Sequence, residues 1–203
     1  MEIIKKPIRG FIKGAIFLYL KIVYRLKIVG KENVPKTGAL IFCGNHRSLL
    51  DAPIIVSTAP RHMRFFAKEE LEKNFIIKFL AFCFGIIFVK RDSKDIQALK
   101  DSLKALKNNE CLGIFPEGTR NGLEKNHGEV KNGAVYLALK GNAKIIPIGI
   151  CGTLKPFKKN MVIYGKPVDL SKFEDIKKLD KAQEVEASNV VMDEIIKLAN
   201  TEV

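Results

Sequence analysis

Short apolar runs alternate with longer mixed segments through the middle of this chain of 203 residues. The runs occupy residues 38–43, 86–89, 111–115, 145–150 and 161–165. Their length fits β-strands, and several are almost wholly apolar, as expected when both faces of a sheet are covered. The predicted helices are residues 53–59, 69–84, 92–107, 132–140 and 180–199. This alternation predicts an α/β fold, a single domain with a largely parallel or mixed central sheet flanked by helices.

The N-terminal segment has the pattern of a basic amphipathic helix. Its apolar residues recur at helical spacing, at Ile8, Phe11, Ile12, Ala15, Tyr19, Ile22, Val23 and Leu26. Lysines and arginines interrupt the segment, and a lysine at the centre of a membrane span costs roughly 2.5–3.5 kcal/mol, so we expect neither a span nor a signal peptide. We favour a helix lying in the interface of a bilayer. The alternative is a helix packed on the protein's own core.

The charge balance is strongly basic. Lysine and arginine number 35 against 22 aspartates and glutamates, which gives a formal net charge of +13. Such a charge favours an anionic partner: nucleic acid, anionic lipid headgroups or an acidic cofactor. The 4 cysteines form no C-x-x-C pair and stand in or beside apolar runs, so they predict buried free thiols and no metal site.

Several catalytic signatures are absent or incomplete. The stretch "GIFPEGTR" has the glycine spacing of a phosphate-binding loop but lacks the lysine that must follow the second glycine. No G-x-G-x-x-G is present, and Ser48 does not stand in a G-x-S-x-G turn. No zinc-finger or RRM signature occurs either. These absences argue against nucleotide hydrolysis and serine hydrolysis.

The stretch "GNHRSLLD" places His46 and Asp51 just after a predicted strand. Residues five apart on a continuous helix point about 140° away from each other, so the two side chains can cooperate only if the chain turns between them. Pro53 favours a helix start near itself, and Asp51 suits the N-cap position. The alternative is structural: Asp51 only caps the helix, and His46 only bonds to backbone.

A second polar stretch, "FPEGTR", follows another predicted strand at residues 111–115. The carboxyl ends of parallel strands gather the working loops of such sheets. We therefore expect the two stretches at the same edge.

Four short blocks stand in the order "NHRSLLD", "GIIFVKRD", "FPEGTR" and "IIPIGI". Together they resemble the glycerolipid acyltransferase family, in its 1-acylglycerol-3-phosphate acyltransferase branch. The resemblance runs from about residue 29 to residue 169. It implies an α/β catalytic domain, which we place at residues 29–203. The basic amphipathic pattern predicts a separate helical segment at the membrane interface over residues 1–28.

The resemblance implies roles for individual residues. His46 would be the general base, and Asp51 would orient its ring, since an imidazole can accept an alcohol's proton at neutral pH. The remaining candidates would bind substrate. Arg91 and Arg120 would bind the phosphate, with Lys68 as a further cation. Glu117, Gly118 and Thr119 would contact the acceptor, and Pro147 would lie on the acyl-donor side. The alternative for Glu117 is a structural role in which its side chain holds its loop in place. The alternative for Pro147 is that it is simply a proline in an edge strand.

The implied reaction moves a fatty acyl group from acyl-CoA or acyl carrier protein to the sn-2 hydroxyl of lysophosphatidate, giving phosphatidate for phospholipid synthesis. The acyl donor would be the co-substrate, with no other cofactor and no nucleic acid partner. We expect a peripheral or monotopic protein on the cytoplasmic face of the cell membrane, in contact with anionic lipid. The alternatives are another acceptor (glycerol-3-phosphate, another lysophospholipid or one like lipid A), an inactive membrane-surface protein, and a basic nucleic-acid-binding module.

Overall fold

The computed structural model describes residues 2–90, 95–118, 131–173 and 180–203. Its α-helices are α1 (Glu2–Val23), α2 (Asp51–Thr58), α3 (Phe75–Phe84), α4 (Ile96–Lys107), α5 (Gly133–Lys140) and α6 (Lys181–Ala199). Its strands are β1 (Leu26–Val29), β2 (Leu40–Gly44), β3 (Met63–Lys68), β4 (Ile87–Val89), β5 (Cys111–Ile114), β6 (Lys144–Gly152) and β7 (Asn160–Tyr164). Short 3-10 turns occupy Lys31–Asn33, Glu69–Lys73 and Ser171–Phe173.

The described strands form one mixed sheet in the order β1-β7-β6-β2-β5-β3-β4. Strands β6, β2, β5, β3 and β4 run parallel to one another. Strand β7 is antiparallel to β6, and β1 is parallel to β7. The predicted α/β fold, with a mixed central sheet flanked by helices, is confirmed.

The apolar strands are explained by cores on both faces of the sheet. In β2, Leu40 and Phe42 point into a core shared with α1 and α2, while Ile41 and Cys43 point into a core shared with α4, α5 and α6. This is the alternation expected of a strand whose successive side chains face opposite sides. All four cysteines are buried and free, as predicted.

The parallel strands bring several chain segments to one edge. Because β2, β5, β3, β4 and β6 run in the same direction, their carboxyl ends lie at the same side of the sheet. The chain leaves this edge at Gly44, Ile114, Lys68 and Val89. The segments that follow β2 and β5 are the two polar stretches of the sequence, so the expectation that they share an edge is confirmed.

The sequence pattern missed strand β3. Its six residues include Arg64 and Lys68, which hide the apolar signal of Met63 and Phe65. Arg64 is accommodated because its Nε donates to Glu110 Oε2 at 2.6 Å and its Nη2 donates to Oε1 at 3.2 Å.

The helix predicted over residues 69–84 is interrupted. A 3-10 turn over Glu69–Lys73 precedes α3. The interruption falls at Asn74, whose side-chain oxygen accepts hydrogen bonds from the backbone N–H groups of Ile76 and Ile77. This is an N-cap, which marks the start of a new helix.

The N-terminal helix ends earlier than its apolar stripe suggested. Helix α1 stops at Val23, and Arg25 has φ of 46°, a left-handed conformation that does not continue a helix. Leu26 therefore begins β1, which pairs with β7, instead of belonging to the stripe. Strand β1 therefore includes residues on both sides of the predicted boundary between the N-terminal segment (residues 1–28) and the catalytic domain (residues 29–203).

Helix α1 is only partly packed on the protein. Leu20 is buried, and Lys13 Nζ donates to the carbonyl of Ala59, just after α2, at 3.2 Å. Phe11, Leu18 and Ile22 are exposed. Among the residues that the structure describes, no helix combines the length and the apolar character needed to cross a membrane.

Candidate active site

The loop between β2 and α2 brings His46 and Asp51 together. Nδ1 of His46 lies 2.9 Å from Oδ2 of Asp51. The contact is possible because the chain turns over residues 48–50 before α2 begins. The His46 side chain is 16% exposed and that of Asp51 is 1% exposed, so the pair is buried at its carboxylate end and accessible at its imidazole end.

Asp51 organises the loop as well as the ring. Its Oδ2 also accepts the backbone N–H groups of Arg47 at 2.6 Å and Ser48 at 2.7 Å. The suggested N-cap position for Asp51 was wrong by one residue, because Leu50 occupies the cap and α2 starts at Asp51. The carboxylate reaches back to donors that precede the helix, which is why it closes the turn around His46.

Two residues that the sequence analysis did not single out fasten this loop to β6. Asn45 is buried; its Nδ2 donates to the carbonyl of Ile150 at 3.2 Å, and its Oδ1 accepts the N–H of Ile150 at 2.8 Å. Arg47 Nη2 donates to the carbonyls of Ile150 at 2.7 Å and Gly152 at 3.1 Å. The only available signal was their position on either side of His46 at the end of an apolar strand.

An aromatic side chain covers one face of the imidazole. The rings of His46 and Phe115 are stacked, with centroids 4.0 Å apart and planes 11° apart. Phe65 supports Phe115 from the far side at a centroid distance of 5.6 Å. Gly113 leaves room for Phe65, because a Cβ there would lie 2.6 Å from its ring. Phe115 and Phe65 were also missed, since nothing in the sequence places residue 115 against residue 46.

Glu117 contacts the backbone of the loop between β2 and α2. Its Oε1 accepts the N–H of His46 at 2.9 Å. Burial raises the pKa of Glu117, although the hydrogen bond from His46 acts in the opposite direction. This contact corresponds to the loop-tying role that the sequence offered as the alternative to an acceptor contact.

Gly118 makes the turn that follows. Its φ is +66°, a left-handed conformation that favours glycine, whereas a Cβ there would meet only the flexible end of the Lys131 side chain. The backbone N–H of Lys131 donates to the carbonyl of Pro116 at 3.1 Å, which closes the loop between β5 and α5. The side chain of Lys131 therefore lies against Gly118, and the sequence did not suggest this cation.

The other predicted substrate-binding residues are more dispersed. Lys68 is exposed at the end of β3, on the same edge of the sheet as His46. Pro147 is buried within β6, which lies between β2 and β7, so the edge-strand alternative for this proline was wrong. Its carbonyl accepts the N–H of Gly165, and the β6–β7 ladder ends there because proline has no N–H to return. Arg91, Thr119 and Arg120 lie outside the described residues.

The arrangement is suited to base catalysis on an alcohol. Asp51 occupies Nδ1 of His46, and none of the described residues hydrogen-bonds to Nε2. A carboxylate on one ring nitrogen fixes the tautomer and stabilises the imidazolium that forms when the other nitrogen takes a proton. Ser48 is not placed as a nucleophile, since its Oγ accepts the N–H of Leu50 at 3.2 Å. Within the described ranges, no three His, Cys, Asp or Glu side chains are grouped as a metal site requires.

Comparisons with known proteins agree with this chemistry. The family model described as "Acyltransferase" matches residues 25–151. A 1-acyl-sn-glycerol-3-phosphate acyltransferase of Borreliella burgdorferi is 28% identical over 185 residues, covering 87% of this chain and 72% of the relative. One of the same name from Bacillus subtilis is 29% identical over 174 residues, covering 80% and 83%.

A solved structure shares the fold. The crystal structure of the 1-acyl-sn-glycerophosphate acyltransferase PlsC from Thermotoga maritima superposes with a TM-score of 0.73 at 26% identity. The superposition covers 98% of this chain and 81% of that one.

Proposed function

This chain belongs to the acyltransferase family, and from that premise we propose that it transfers a fatty acyl group from a thioester to the sn-2 hydroxyl of 1-acyl-sn-glycerol-3-phosphate. The resemblance drawn from four short blocks is confirmed by the family match and by the named relatives. Those relatives are O-acyltransferases by name, and this chain is an enzyme of the same kind. The family match also favours an enzyme over a basic nucleic-acid-binding module.

The observation that carries the mechanism is the contact between His46 Nδ1 and Asp51. In the proposed reaction, Nε2 of His46 takes the proton of the acceptor hydroxyl as its oxygen attacks the thioester carbonyl. A C–O bond forms, the C–S bond breaks, and the proton passes from His46 to the departing thiolate. A thioester is already an activated donor, so no covalent acyl-enzyme is needed.

The acceptor phosphate requires cations near this pair. Arginine suits phosphate because its planar guanidinium binds two oxygens at once, and we assign this role to Arg91 and Arg120. Lys68 extends the cationic edge, and its place at the end of β3 supports that assignment. Gly118 and Thr119 follow Glu117 on the acceptor side, and Pro147 in β6 is assigned to the acyl-donor side.

The donor is acyl-CoA or acyl carrier protein. Both are acidic, and a formal charge of +13 suits either. The reaction needs no further cofactor, and its product, phosphatidate, places the enzyme in phospholipid synthesis.

The acceptor is a membrane lipid, which supports a peripheral or monotopic position on the cytoplasmic face of the cell membrane. Helix α1 supports this position through its exposed Phe11 and Leu18. Deletion of residues 1–28 would not test it cleanly, because Leu20 and Leu26 of that segment belong to the core. Paired substitutions such as Phe11→Glu with Leu18→Glu are the better test, and flotation with anionic liposomes should fall.

The decisive experiment is acyl transfer by purified protein. We expect His46→Gln to lower kcat about 10²- to 10⁴-fold, the range that general base catalysis supplies. The matched control is His62→Gln, which makes the same change outside the site and should keep near-normal activity. If His46→Gln stayed within about threefold of the wild type, this histidine would not be the base.

The acceptor needs a separate comparison. Lysophosphatidate, glycerol-3-phosphate and lysophosphatidylglycerol, offered with labelled acyl-CoA or acyl carrier protein, would separate the main proposal from the alternatives. A clear preference for glycerol-3-phosphate would keep the mechanism and change the product.

A further inference from the structure

Exposed apolar side chains are concentrated on one side of the molecule. Of the 17 large apolar side chains that are exposed in the described part of the chain, 11 lie on α1, the Glu69–Lys73 turn and α3. They are Ile3, Ile4, Phe11, Leu18, Tyr19, Ile22, Leu71, Phe75, Ile76, Phe79 and Phe82. Scattered single apolar residues are normal on a protein surface, whereas a contiguous group indicates a binding surface for a protein, a ligand or a membrane.

Helix α3 contributes four members of this group, and α1 contributes six. It buries Cys83 and Phe84, while Phe75 is 83% exposed and Phe79 and Phe82 are also exposed on the opposite side. These three phenylalanines are spaced four and three residues apart, which places them along one face of the helix. The sequence pattern predicted a helix over this segment but indicated no role for its exposed face.

The two helices form a continuous surface. They pack against each other, and Nζ of Lys5 in α1 lies 4.2 Å from the ring centroid of Phe82 in α3. We call this the α1–α3 surface and define it by Phe11, Leu18 and Ile22 of α1 and by Phe75 and Phe79 of α3.

The charge on this side of the molecule identifies the partner. Helix α1, the Glu69–Lys73 turn and helix α3 together carry seven lysines and arginines against four glutamates, three of which lie in the turn. Helices α4, α5 and α6, which cover the opposite face of the sheet, carry six against five acidic residues. Aromatic and aliphatic side chains accompanied by excess cations are the composition of helices that lie in the interface of an anionic bilayer.

A second copy of the chain fits the surface less well. In a two-fold contact the same patch meets itself, so two surfaces of the same net positive charge would face each other. Like charges brought together in this way oppose association.

We propose that α3 is a second membrane-docking element, which inserts the exposed face of Phe75, Ile76, Phe79 and Phe82 into an anionic bilayer beside α1. The docking rests on exposure and charge alone. The purpose of the docking rests on the proposed function. An enzyme that acylates a bilayer lipid must hold the sheet edge that carries its active site at the lipid headgroups.

Flotation with vesicles of phosphatidylglycerol and phosphatidylcholine tests the proposal. The double variant Phe75→Glu/Ile76→Glu removes two exposed apolar side chains of α3 and adds two negative charges. We expect its partitioning onto vesicles to fall about tenfold or more, from lost apolar burial and added repulsion. The matched control is Ile96→Glu/Val185→Glu, which makes the same charge change at exposed residues of α4 and α6 and should float like the wild type.

Contact between α3 and the lipid can be measured directly by tryptophan fluorescence, because the chain has no tryptophan of its own. A single Phe75→Trp substitution therefore gives an unambiguous fluorescence signal. We expect its emission to shift to shorter wavelength with vesicles and to be quenched by brominated lipid. Ile96→Trp, on the opposite face, should show neither effect.

Unchanged flotation of the double α3 variant, together with unquenched fluorescence of the Phe75→Trp variant, would overturn the proposal. Loss of a wild-type dimer by the double variant, with flotation unchanged, would assign the surface to a second copy of the chain instead. An assay with short-chain, fully soluble substrates separates these results from the proposed function. There the double variant should match the wild type, whereas inactivity of both proteins would count against the proposed reaction and leave the docking result standing.

Discussion

The imidazole of His46 is held by two unlike contacts. Asp51 accepts from its Nδ1, and Phe115 stacks on one of its faces. The first contact fixes the tautomer, and the second fixes the plane of the ring. In the proposed mechanism His46 is the base, and catalysis depends on its precise placement, so we expect both contacts to influence kcat more than substrate binding.

We predict that Phe115→Leu lowers kcat about threefold to tenfold with little change in the KM of either substrate. The reason is that a leucine fills the space but cannot stack, and an aromatic pair is worth about 0.5–1.5 kcal/mol beyond its buried area. Phe115→Tyr should restore most of kcat. Steady-state kinetics, with the exposed Phe157→Leu as the control, would show this. An unchanged kcat in Phe115→Leu would mean that Asp51 alone orients the ring.

The raised pKa of Glu117 gives a pH-dependent stability. Burial is its main cause, so the unfolded chain loses this proton at lower pH than the folded protein does. Between the two pKa values the folded state binds more protons, and the free energy of unfolding therefore falls as pH rises through that interval.

We predict that Glu117→Gln removes the fall in unfolding free energy that ionisation of Glu117 causes as pH rises. Its amide oxygen can still accept the N–H of His46, so the loop contact is retained. The unfolding free energy of the variant minus that of the wild type should increase from about pH 4, where an unfolded glutamate begins to ionise, and level off above the folded pKa. Urea denaturation at a series of pH values measures this difference. A flat or falling difference would mean that the carboxylate is not penalised by its surroundings.

At the scale of elements, helix α6 approaches strand β6 unusually closely. A Cβ on Gly149 would lie 2.6 Å from the backbone nitrogen of Ala199, and backbone atoms of Leu198 are in its way as well. Backbone cannot rotate aside as a side chain can. The close packing of α6 on β6 thus depends on this glycine.

We predict that Gly149→Ala destabilises the protein by about 1–3 kcal/mol, the usual cost of overpacking. Gly133→Ala is the matched control, because the same methyl group is added in α5 with nothing within 4 Å. There the gain in helix propensity should stabilise the protein by up to about 1 kcal/mol. Thermal or chemical unfolding of both variants would test the pair, and equal shifts of the same sign would contradict it.

The elements that the sequence predicted well are those whose signal is local. Five apolar runs became strands. The spacing of His46 and Asp51 allowed their contact but left a structural alternative open, and the pairing was predicted from the resemblance of four short blocks to a known family. Strand β3 was missed because Arg64 reads as a surface residue until Glu110, 46 positions away, is seen beside it. For the same reason, Asn45, Arg47 and Phe115 acquire their roles only from contacts with residues distant in sequence.

At the scale of the whole molecule, apolar exposure and positive charge coincide on the α1–α3 side. Coulombic attraction to a bilayer is screened by salt, whereas apolar burial is not. The two contributions can therefore be separated by ionic strength.

We predict that binding to anionic vesicles weakens when salt is raised from about 0.1 M to about 1 M but does not vanish, since the Debye length falls from about 10 Å to about 3 Å while the apolar contact remains. Binding to purely zwitterionic vesicles should be weaker and nearly independent of salt. Co-sedimentation at several salt concentrations would measure both. Complete release at high salt would show that charge alone holds the protein on the lipid.

The contact between Phe115 and one face of the His46 imidazole also affects which enantiomer of the acceptor can react. With Phe115 on that face and Asp51 at Nδ1, a hydroxyl can approach Nε2 from a restricted set of directions. An acceptor whose phosphate is anchored by fixed cations presents its secondary alcohol there in one configuration. Its mirror image directs the same group elsewhere. Under the proposed mechanism, a base confined in this way discriminates between enantiomers, so we expect the unnatural enantiomer of lysophosphatidate to react poorly even when it binds.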